Sequence, residues 1–160
     1  MDVADRLRQV DVSEMPTPTA WIVGVHGGSA ETTLAHLVDG AVATGHRWPI
    51  GTPRAPMAPV VLVARTGMND LRAAQRAVIE WASGATPVAL AGLVLVADAP
   101  GRLPRPLTDL AQVIAGGVPR CWRMPWVEDW RMGGEVTADG APKAAQAILA
   151  ELHDVLTNPQ

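Results

Sequence analysis

Trp21-Ile22-Val23-Gly24-Val25-His26-Gly27-Gly28-Ser29-Ala30-Glu31-Thr32-Thr33 decides how this chain folds. Its first five residues are apolar or glycine, rich in β-branched types, and read as a buried strand. Gly27 and Gly28 then break the pattern. Ser29 is placed to cap a helix, and Glu31 falls in its first turn, where an acid suits the positive end of the helix dipole. Leu34, Leu37, Val38 and Val42 continue at helical spacing. Strand, glycine turn and helix in that order open a βαβ unit.

Downstream the alternation repeats. Val60–Ala64 reads as a second strand. Asn69 or Asp70 caps a helix that carries Leu71, Ala74, Val78 and Trp81 on one face and stops at Gly84. Leu90–Ala97 is continuously apolar, the signature of a strand buried on both faces. Pro104 and Pro106 open a helix bearing Leu107, Leu110, Val113 and Ile114. Val118–Met124 is a short fourth strand, and a last helix runs from about Pro142 to Leu156. These elements predict one three-layer α/β domain over residues 20–156. Its sheet is mostly parallel, with four to five strands and helices on both faces. Residues 1–19 read as a polar, flexible lead-in. Residues 44–59 hold Pro49, Pro53, Pro56 and Pro59 and read as a surface loop without regular structure. Ligands in such folds sit at the carboxyl ends of strands. The loops to search are therefore 25–33, 64–69, 98–104 and 125–131.

Composition narrows the function. The 160 residues are 48% hydrophobic and 18% charged, enough to bury one core. A net charge of −3 supplies no basic field, so strong direct nucleic-acid binding is not expected. Cys121 is alone and cannot form an internal disulfide. The acidic start, Met1 to Asp5, lacks signal-peptide order. The longest apolar run, Val88–Ala97, is about half a membrane span. A cytoplasmic protein off the membrane is the expectation. The four histidines lack metal-ligand spacing, so no metal site is expected, and no serine sits in a G-x-S-x-G elbow. No catalytic residue is assigned. Lys143 is the only lysine.

His26-Gly27-Gly28-Ser29-Ala30-Glu31-Thr32-Thr33 resembles K-G-G-x-G-K-T-T, the deviant phosphate loop of the ParA/MinD ATPases. Both glycines of the pair and both threonines match. The two lysines and the third glycine are replaced by His26, Glu31 and Ala30. Val60–Ala64 with its following helix, and Leu93–Ala97, look like that family's later strands. Met124-Pro125-Trp126 looks like its Ile-Pro turn beside the nucleotide base. The likeness spans about residues 20–156. The family's Walker B and switch II aspartate segments have no visible counterpart. The arrangement is also similar to uncharacterised small actinobacterial proteins with a V-H-G-G loop.

The resemblance implies a truncated P-loop NTPase-like frame and, by analogy, a homodimer. The departures argue against ATP hydrolysis. Where the family has a cation on the phosphates, Glu31 is an anion; two like charges about 4 Å apart repel by roughly 4 kcal/mol at an effective dielectric of ~20. Losing the attraction as well offsets most of a micromolar affinity, about 8 kcal/mol. No cofactor is expected, beyond weak ATP–Mg binding. Glu31 either occupies its own anion site or is an exposed first-turn acid. By the resemblance, Asp98 and Pro125 belong to a base-side loop; Asp98 also reads simply as a turn aspartate. Trp122, Trp126 and Trp130 form either a partner surface or part of the core. Cys121 reads as a small buried hydrophobe. The leading expectation is a non-catalytic, degenerate P-loop protein that acts as an interaction or regulatory module, with another protein as partner. The alternative is a nucleotide-binding protein or slow NTPase whose phosphate site is rebuilt from arginines such as Arg65.

Overall fold

Strand β2 (Ala20–Gly24) is buried along its whole length and sits inside a five-stranded sheet. The computed structural model describes residues 6–51, 58–131 and 137–158. On one side of β2 lies β3 (Ala41–Ala43); on the other lie β5 (Val60–Arg65), β6 (Leu90–Val96) and β7 (Cys121–Met124), all parallel. Helix α1 (Glu31–Leu37) joins β2 to β3. Helices α2 (Met68–Ala82) and α3 (Arg105–Ala115) carry the chain from β5 through β6 to β7. After the short α4 (Glu128–Arg131), α5 (Lys143–Thr157) closes the described chain.

The alternation of side chains along the strands sorts the core into two halves. Val60, Leu62 and Ala64 of β5 face one way and pack with Leu71, Ala74 and Val78 of α2 and Ile114 of α3. Val61 and Val63 face the other way and pack with Leu34 of α1 and Leu149, Leu152 and Leu156 of α5. The result is the predicted three-layer α/β fold, with helices on both faces of a parallel sheet. Gly92 is dictated by close packing: a Cβ there would lie 2.5 Å from the Arg120 carbonyl oxygen and 2.6 Å from the Trp122 ring.

Two segments differ from the sequence expectation. The lead-in holds a strand, β1 (Arg8–Asp11), and the proline-rich stretch holds another, β4 (Arg47–Ile50); the two pair in parallel. A two-stranded sheet has only edges, where a proline such as Pro49 need not break a ladder. Trp48 anchors β4. It is fully buried against the α2–α3 side of the core, and its indole N–H donates to Oε1 of Glu80 in α2 at 2.9 Å. That apolar area overrides the proline content. Residues 52–57, including Pro53 and Pro56, and residues 1–5 lie outside the described residues.

The first helix is also shorter than its apolar periodicity suggests. It ends at Leu37, and Val42 belongs to β3, where it is exposed.

Candidate functional site

The sheet has a switch point. From β2 the chain crosses to β3 on one side, while β5, β6 and β7 follow on the other. Crevices of this kind, outside the carboxyl ends of strands, are where ligands bind in such sheets. The loop His26–Ala30 leaves β2 at this point.

Ser29 is not the cap of α1. Ala30 holds that position in the left-handed conformation, with φ 72°, and no side chain caps the helix. The buried Ser29 hydroxyl donates instead to Oδ2 of Asp70, 2.8 Å away, and accepts the His26 N–H at 3.1 Å. Asp70 is likewise no cap: Gly67 takes that place in α2. From the first turn of α2 the Asp70 carboxylate also accepts the Arg65 backbone N–H at 2.8 Å, and its other oxygen lies 3.4 Å from Nδ1 of His26. Arg65 then reaches back and donates from Nε to the Gly28 carbonyl at 2.6 Å. The glycine loop is thus tied on both sides to the β5–α2 junction.

Glu31 is 5% exposed, which corrects the reading of an exposed first-turn acid. Oε1 accepts backbone N–H groups from Gly24 at 2.7 Å and His46 at 2.9 Å; Oε2 accepts that of Gly45 at 3.2 Å. These donors lie at the end of β2 and in the turn between β3 and β4. Gly45 and His46 both take positive φ, 71° and 61°, which turns two successive amides toward one carboxylate. Successive amides in this geometry form a concave anion site, and the chain's own carboxylate fills it. Gly24 has no room for a side chain, since a Cβ would lie 2.7 Å from Nδ1 of His46 and 3.1 Å from Cβ of Glu31. That Nδ1 is buried without a hydrogen bond, 3.8 Å from Oε1 of Glu31. Thr32 is exposed and Thr33 half-buried.

Beyond α1 a groove of about 380 Å³ opens over the ends of β5, β6 and β7. Thr33, Arg65, Asp98, Trp126 and Trp130 are among its walls. The Asp98 backbone N–H donates to the Thr66 hydroxyl at 3.1 Å, and its carboxylate lies over the start of α2, near Gly67. Trp126 and Trp130 are half-buried here, but Trp122 is 3% exposed in the core beneath α5. Trp122 is therefore not a partner surface; it points into the sheet because it alternates with exposed Arg123 along β7. Pro125 is half-buried beyond the end of β7. Burial pushes the Cys121 thiol above the ordinary thiol pKa, outweighing the opposing pull of Arg123. Among the described residues no cluster of three or more His, Cys, Asp or Glu is arranged to hold a metal, and no helix is long and apolar enough to cross a membrane.

Sequence reasoning missed Asp70, Thr44 and His46 as parts of this site. Several of their contacts join distant residues, such as Glu31 with Thr44, 13 positions apart, and Ser29 with Asp70, 41 apart, which leave no local pattern.

The fold and the crevice define a doubly wound parallel α/β domain with a glycine loop at its switch point. The chain belongs to a family of unknown function, DUF6668, whose model matches residues 18–149. That match begins just before β2 and ends inside α5. No curated protein and no solved structure matches the chain.

Proposed function

We infer that this protein is a non-catalytic, degenerate P-loop protein of ParA/MinD type that works as an interaction or regulatory module with a protein partner. The observation that carries this reading is the Glu31 carboxylate, held by three backbone amides where the ATPase pattern has its lysine. Those three N–H donors fix the carboxylate in place and leave no cation at this position of the loop. Asp70 adds a second carboxylate directly under Ser29. A phosphate entering the loop would meet anions where a P-loop offers a cation. Each such contact at about 4 Å costs roughly 4 kcal/mol at an effective dielectric of ~20. Without a lysine in the loop, Thr32 alone would have to hold a magnesium nucleotide. The net charge of −3 supports a protein rather than a nucleic-acid partner. The protein as purified should carry no nucleotide by native mass spectrometry and release no phosphate from ATP. Stoichiometric bound nucleotide would overturn the reading.

One observation favours a second reading, a nucleotide-binding protein or slow NTPase with a rebuilt site. Arg65 already reaches the loop, at Gly28. Under that reading Arg65→Ala abolishes a measurable ATP affinity; under the leading one there is none to abolish.

A further inference from the structure

The groove over β5–β7 adjoins the glycine loop, sharing Ala30 and Arg65 with it, and has its own chemistry. Arg65 and Asp98 both line it, yet no ion pair joins them. Arg65 is pinned through Nε to the Gly28 carbonyl, which leaves the two Nη groups of its fork outside that bond. The Asp98 backbone is pinned by Thr66, which fixes where its carboxylate starts. Two opposite charges therefore face one cavity from separate strands, β5 and the loop after β6. Two indoles, Trp126 and Trp130, line the same space. Indole faces attract cations electrostatically. A volume of about 380 Å³ is at the small end of ligand pockets.

We propose that this groove binds a small zwitterion, an amino acid or a betaine, with its ammonium end between the indoles and Asp98 and its carboxylate on Arg65. A ligand carrying one charge alone would pair with only one of Arg65 and Asp98 and forgo the second charge-assisted contact. A larger anionic ligand such as a nucleotide would bring its phosphates toward Asp98 and Asp70. The ligand goes beyond the module reading above by giving it a chemical input. It does not rest on that reading, because ATP and zwitterion titrations fail separately.

The test is calorimetric titration of the full chain with glycine betaine and the twenty L-amino acids, with choline and acetate as single-charge controls. At least one zwitterion should bind, with choline and acetate each weaker by about tenfold or more. Asp98→Asn should weaken that binding about tenfold. Asp98 is exposed and outside the core, so this variant leaves folding intact. Arg65→Gln should weaken it as well, with circular dichroism reporting whether the loop brace matters to folding. Binding of no zwitterion at millimolar concentration overturns the proposal. So does choline binding as tightly as betaine, or a zwitterion affinity unchanged in Asp98→Asn.

Discussion

Oε1 of Glu31 accepts the backbone N–H of Gly24 at 2.7 Å, joining the first residue of α1 to the last residue of β2. With the amides of Gly45 and His46 on the same carboxylate, the group holds together the strand end, the helix start and the β3–β4 turn. Glu31→Gln keeps the shape but sets an NH2 group against at least one of these donors. It should cost about 1–3 kcal/mol. Glu31→Lys, which restores the ATPase pattern in sequence, places a cation against three N–H donors. It should cost about 3–5 kcal/mol. Urea denaturation checks both. A Lys variant as stable as the parent would show that the amide cage is not what Glu31 is for.

Ser29 and Asp70 form the second brace. Ser29→Ala removes one donor from a carboxylate that keeps the Arg65 amide. The expected loss is about 1–2 kcal/mol. A double-mutant cycle with Asp70→Asn should give a coupling of about 0.5–3 kcal/mol. Additive losses would mean that the two side chains act separately.

Ala30 is a non-glycine residue at φ 72°. A left-handed residue with a Cβ is strained by about 1–2 kcal/mol, and glycine relieves that at an entropic cost of about 0.5–1 kcal/mol. Ala30→Gly should leave stability unchanged or raise it by up to about 1 kcal/mol, read from the denaturation midpoint. A clear loss would show that the Ala30 methyl packs against the core more than its backbone suffers.

Trp48 tests whether the proline-rich stretch is structural. Trp48→Ala should cost about 3–5 kcal/mol. Glu80→Ala, which leaves the indole N–H buried without its acceptor, should cost about 1–3 kcal/mol. If β4 were dispensable, Trp48→Ala would unfold at the parental denaturant concentration.

The Cys121 thiol has a raised pKa because burial disfavours the thiolate. Only the thiolate reacts. At pH 8 the folded protein should therefore alkylate with iodoacetamide much more slowly than the unfolded chain. The gap should narrow as the pH rises toward and past the raised value. Equal rates at pH 8 would show that the thiol is open to solvent.

The sheet was legible because each central strand is a continuous apolar run. Val60–Ala64 and Leu90–Ala97 admit few other readings, and Gly84, Pro104 and Pro106 punctuate the helices between them. β4 was hidden because Pro49 and its neighbours signal a breaker locally, while Trp48 acts over 32 positions through Glu80. The site was half legible. The glycine loop and Arg65 stand out by position. The partners of Glu31 do not, because Gly45 and His46 present backbone amides, which no residue type announces. Ser29 and Asp70 each look like helix caps, since short polar side chains at helix starts serve equally well as caps or as long-range partners.

The central claim, a phosphate-loop-like segment whose lysine position is taken by a carboxylate held on backbone amides, is tested most directly by calorimetric titration of the full chain with Mg-ATP. The account predicts no saturable heat at millimolar nucleotide. Saturable binding in the micromolar range would contradict it.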